Sequence, residues 1–146
     1  MKRKVLFRLP LVVATVALLL AGGAPLRAQG DAQEIAIRDV IANQLAAFGR
    51  DDGPGAFAFA SPTIRAKFQT PEFFMTMVQR HYAPVYRPSE VSFQALHAGP
   101  KGPVQEVLLV GPDSQVVIAL YFMEQQPDAS WKINGVQLIK APDQIS

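Results

Sequence analysis

Apolar side chains fall at Ile37, Val40, Ile41, Leu45 and Phe48, with Arg38, Asp39, Asn43 and Gln44 between them. Offsets of three and four predict an amphipathic helix over Asp31 to Phe48 with one core-facing stripe. The segment "GRDDGPG" ends it with turn residues, and Asp51 and Asp52 read there as solvated loop carboxylates. A short helix is expected from Ala56 to Ala60. Ser61-Pro62 and Thr70-Pro71 each read as an N-cap followed by proline in the first turn. Two more helical segments follow, the first through Ile64 and Phe68. The second carries Phe74, Met77, Val78 and His81 on one stripe. Because the residue before a proline resists the α conformation, "YAPVYRP" is predicted to be an extended connector.

After Pro88 the period changes to two. Val91, Phe93 and Ala95 alternate with Ser92 and Gln94. Further strands are predicted over Val104 to Val110, Val116 to Glu124 and Trp131 to Lys140, joined by turns at "GPDS" and "QPDAS". In the last strand Val136 and Leu138 are out of phase with Trp131 and Ile133, and Gly135 sits at the slip. A bulge that bends the strand is the expected cause. Helices followed by strands argue an α+β domain, its N-terminal helices packed on a strongly bent four-stranded antiparallel meander.

Both faces of the third strand are apolar: Val116, Ile118, Leu120 and Phe122 on one, Val117, Ala119, Tyr121 and Met123 on the other. Helices can cover only one of them. Val117, Tyr121 and Met123 are therefore candidates for a two-fold homodimer interface. The other reading has that face covered by the chain's own termini or loops.

Charge changes the picture at the amino end. "MKRKVLFR" is basic, and an uncharged run from Leu9 to Leu26 follows. Its strongly apolar part, Leu11 to Ala21, is shorter than the roughly 20 residues of a membrane-spanning helix. Residues 1–28 are expected to be a signal peptide cleaved after Ala28, with an uncleaved anchor as the competing reading. The remaining 29–146 would form a single domain, periplasmic or secreted and off the membrane after cleavage. Removing five of the fourteen basic residues leaves nine against twelve acids, a net of −3. The basic character of the whole chain is then no sign of nucleic-acid binding. The sequence contains no cysteine, which removes disulfides, thiolate metal sites and cysteine nucleophiles.

The helices-first order and the closing "WKINGV" resemble the cystatin-like, cone-shaped fold of nuclear transport factor two and the SnoaL-like proteins. More narrowly, "FASPTIRAKFQTPEFFMTMVQRHYAPVYRP" and "VVIALYFMEQQPDASWKINGVQLIK" resemble a DUF4864-like family of exported bacterial domains of unknown function. That resemblance implies no established activity and transfers no catalytic residue.

Catalytic chemistry finds little footing in the residues themselves. His81 and His97 have no carboxylate or second histidine at metal-ligand spacing. Ser61 and Ser130 lie in cap and turn contexts, outside any nucleophile elbow. Neither a metal nor another cofactor is expected, and no residue is assigned as catalytic. The remaining candidates are Arg65, Phe68, Phe74, His81, Tyr82, Tyr86 and Arg87, which would border the open end of a cone and form a small-ligand site. The same aromatics also read as plain core, with the arginines as a solvated rim. Two functions stay open: a non-enzymatic domain binding a small apolar ligand or a protein partner, and a cofactor-independent SnoaL-like isomerase or hydrolase using His81 or Tyr82.

Overall fold

The computed structural model describes residues 25–141. The expected basic and apolar leader through residue 24 lies outside them. Helix α1 (Leu26–Gly49) runs across the expected cleavage point and buries Ile37, Ile41, Leu45 and Phe48 on its stripe. Gln44 is buried on the same stripe, whereas the pattern placed it among the solvent-facing polar residues. Its offsets explain this, since it lies three residues after Ile41 and four before Phe48. Among the described residues no helix is long and apolar enough to cross a membrane.

Helix α2 (Gly53–Ala58) starts before the expected Ala56 because Asp52 is its N-cap, accepting from the Gly55 N–H at 2.9 Å. Helices α3 (Pro62–Phe68) and α4 (Pro71–His81) begin where the Ser-Pro and Thr-Pro signals placed them. Ser61 Oγ accepts from the Ile64 N–H and Thr70 Oγ1 from the Phe73 N–H, each at 3.2 Å. The connector after α4 is not extended. Ala83–Tyr86 forms one helical turn, α5, with Pro84 in its first turn, where a missing N–H costs nothing.

Strands β1 (Glu90–Gly99), β2 (Gly102–Val110), β3 (Val116–Gln125) and β4 (Trp131–Lys140) form one antiparallel meander, so the fold is α+β as expected. The sheet is open, with β1 and β4 at its edges. Only two residues separate β1 from β2, and Gly102 turns at φ 135 with Met123 O 2.6 Å from where a Cβ would stand. The alternation through Ala95 does not hold. A bulge between Phe93 and Leu96 turns Leu96 toward the core and leaves Ala95 exposed. Gln105, fully buried, serves this irregularity by donating to Gln94 O at 2.9 Å and Ala95 O at 3.3 Å.

The expected bulge in β4 is present. Phe122 pairs with Gly135 and Met123 with Ile133, so Asn134 is the extra residue. Just before the bulge the free edge of β4 is partly covered. The Ser61 N–H donates to Ile133 O and the Ile133 N–H to Phe59 O, both at 2.9 Å, which makes residues 59–61 a short parallel neighbour. Trp131 is only half-buried against the core.

The candidate dimer residues are not on a free face. Val117, Tyr121 and Met123 are 5%, 0% and 2% exposed, and Ala119 between them is fully buried. Val117 pairs with Leu109 and Ala119 with Val107, residues that are themselves buried. The helices cover this side, and these side chains cannot meet a second copy without leaving the core. The uncovered side carries the alternate set, with Val116 40% and Phe122 38% exposed.

Candidate functional site

A cavity of about 580 Å³ lies between the carboxyl half of α1, helices α3 and α4, and the bulged middle of β4. Helix periodicity supplies its apolar walls. Phe48 comes from α1, Ile64 and Phe68 from α3, and Phe74, Met77 and Val78 from α4. Phe74 is the hub of the aromatic wall, its ring centroid 5.3 Å from that of Phe57, 5.7 Å from Phe68 and 6.0 Å from Phe48. Ile133 and Val136 close the sheet side on either side of the bulge.

Few polar groups interrupt these walls, and each has a structural reason for its position. Gln44 is held by its own donation to Ala56 O at 3.2 Å. Asn134 reaches the cavity because the bulge removes it from strand pairing. Its Oδ1 accepts from the buried Ser61 hydroxyl at 2.7 Å. Since Ser61 Oγ already accepts from the Ile64 N–H, its hydrogen is available to donate, and this orients the Asn134 amide. The Tyr82 hydroxyl donates to Val136 O at 3.3 Å, capping part of the β4 edge. Lys67 and His81, both exposed, mark where the cavity meets solvent.

Of the candidate ligand-binding residues, Phe68, Phe74, His81 and Tyr82 line this cavity; Arg65, Tyr86 and Arg87 do not. Arg65 lies over the Phe57 ring, 5.6 Å from its centroid. Tyr86 and Arg87 join Asp51, which is not a plain solvated turn residue. Arg87 Nη2 donates to both Asp51 carboxylate oxygens at 3.0 Å, and Arg87 Nη1 donates to Phe48 O near the end of α1 at 2.6 Å. The Tyr86 hydroxyl also donates to Asp51 Oδ1, and the guanidinium stacks on the Tyr86 ring at 4.2 Å. The Tyr86 hydroxyl above all, aided by the Arg87 charge and opposed by partial desolvation, holds the Asp51 carboxyl below its ordinary value. The same bond pushes the Tyr86 hydroxyl up. This cluster locks α5 onto the end of α1 and so fixes the back of the cavity through Val85.

Sequence reasoning missed Gln44, Lys67 and Asn134. The first had a signal in its place on the α1 stripe, and Asn134 had one as the neighbour of the phase slip. Lys67 had none. Among the described residues no three His, Cys, Asp or Glu side chains are grouped to hold a metal ion. His97 pairs with Glu106 on the uncovered side of the sheet, Nε2 to Oε2 at 3.0 Å.

No curated protein and no solved structure matches the chain. The model of one family, described as Domain of unknown function (DUF4864), matches residues 30–146, from the first turns of α1 through all four strands, and the chain belongs to that family.

Proposed function

We propose that this domain is a non-enzymatic binding module that takes one small apolar ligand into the cavity between α1, α3, α4 and β4. The observation that carries the reading is the cavity itself. Its volume of about 580 Å³ lies within the range of small-molecule sites, and its walls are aromatic and aliphatic with a few placed polar groups. A domain acting only through its surface has no need of such a space, since an unfilled apolar cavity lowers stability. The likeness to the cone of nuclear transport factor two and the SnoaL-like proteins belongs to this proposal, as does a periplasmic or secreted setting after loss of residues 1–28.

The alternative, an isomerase or hydrolase working through His81 or Tyr82, draws on the same space, because both residues line it. It has less behind it. The Tyr82 hydroxyl is committed to Val136 O, and His81 belongs to none of the ion pairs among the described residues.

Titration with N-phenyl-1-naphthylamine, a neutral dye that brightens in apolar sites, tests the binding reading. Saturable enhancement is expected for the wild type. It should be lost in Met77→Trp, which fills the cavity from a half-buried position on α4. A wild type that gives no enhancement, or a Met77→Trp variant that binds the dye unchanged, overturns the assignment of the cavity.

A further inference from the structure

Resting on that reading, we infer that the ligand is an apolar molecule bearing a single carboxylate, its body among the phenylalanines and its head toward Lys67, His81 and Asn134. Charge and hydrogen-bonding sign point to this head group. Among the described residues that line the cavity there is no aspartate or glutamate, while Lys67 supplies an ammonium and His81 a ring N–H. Asn134 adds donors. With its Oδ1 engaged by Ser61, its amide hydrogens have no partner among the described residues. The Tyr82 hydroxyl is spent on Val136 O. Of the polar side chains that line the cavity, Lys67, His81 and Asn134 therefore offer donors and a positive charge, beside the Gln44 carbonyl as an acceptor.

Ligand classes separate on this basis. A cationic head would meet Lys67 without a compensating carboxylate. A neutral apolar molecule would leave the Asn134 donors unpaired wherever it displaced their water, at a cost in affinity. A carboxylate satisfies both, as an acceptor for several N–H groups at once and as a counter-charge to Lys67. Placed at the solvent-facing end, it also avoids the large penalty of carrying an ion into the aromatic interior. Lys67 lies against Phe68, its Nζ 5.5 Å from the ring centroid. Its stem thus covers apolar wall while its charge stays at the mouth.

Competition against bound N-phenyl-1-naphthylamine separates this inference from the reading beneath it, using decanoate and decan-1-ol as matched probes. The alcohol is the less hydrated of the two and wins in a site that recognises only the chain. The expected result is that decanoate displaces the dye at the lower concentration, and that added salt weakens decanoate alone. In Lys67→Met the half-displacing concentration of decanoate should rise about two- to fivefold, the range of an exposed ion pair, with decan-1-ol unchanged. Lys67→Arg should keep the preference. Lys67 is exposed, so circular dichroism of both variants should match the wild type. If the dye binds but decan-1-ol competes as well as decanoate, or Lys67→Met shifts both probes equally, the carboxylate preference falls and the cavity assignment stands. If the dye does not bind at all, both fall.

Discussion

The Ser61 hydroxyl and the Asn134 side-chain carbonyl meet at 2.7 Å although 73 residues separate them in sequence. One hydroxyl does two jobs there. It caps α3 through the Ile64 N–H, and it ties that helix to the extra residue of the β4 bulge. Ser61 is fully buried, so removing its oxygen leaves the Ile64 N–H and Asn134 Oδ1 short of a partner. Ser61→Ala should therefore lower unfolding free energy by about 1–3 kcal/mol in urea melts. A change under about 0.5 kcal/mol, the range of ordinary surface substitutions, would mean that the pair holds nothing together.

The Asp51 cluster gives a pH dependence with a definite sign. The folded-state pKa of Asp51 lies below the ordinary 3.8, so the folded state favours the carboxylate. Its contribution is fully present above the unfolded value and is lost as pH falls through the lowered folded value. Asp51→Asn removes the titrating group and most of the attraction to Arg87. The stability gap between wild type and variant should be constant at neutral pH and close below about pH 4. Urea midpoints measured from about pH 6 downward would show it. A gap that persists unchanged into acid would show that the Asp51 charge does not set it; backbone strain is no part of the gap, since Asp51 sits at φ 55, where asparagine is equally at home.

The two faces of β3 should respond oppositely to the same charge. Val117→Lys buries an ammonium on the helix-covered side and should cost more than about 3 kcal/mol, enough to unfold a marginal domain. Phe122→Lys, at a position 38% exposed on the other side, should cost about 1 kcal/mol or less. Circular dichroism with urea titration of the two variants decides the matter. Comparable losses at both positions would mean that the outer side of the sheet is also covered.

Local chemistry makes several features readable in the sequence. Ser61-Pro62 and Thr70-Pro71 start helices because a hydroxyl cap and a proline in the first turn act within four residues. The phase slip at Gly135 betrays a bulge because strand periodicity is strict. Yet Gly135 itself is not sterically required there, its nearest neighbour to a built Cβ being Phe122 Cδ2 at 3.8 Å, and the residue the bulge turns into the site is Asn134.

Other features were decided only by the assembled fold. Alternation puts Val117 and Phe122 on opposite faces of β3, both apolar, and it is the packing of the helices on one of them that buries Val117 and bares Phe122. Pro84 blocks the end of one helix and opens the next with equal ease, and the α5 turn it opens is tied to the fold by Arg87 reaching Phe48 O, 39 residues back. Hydrophobic period and capping are short-range properties carried by neighbouring residues, and they specify which elements form. The partners of Asp51, Ser61 and Gln44 are set by where those elements pack, because a buried polar group takes whichever donor or acceptor the tertiary structure brings within about 3 Å.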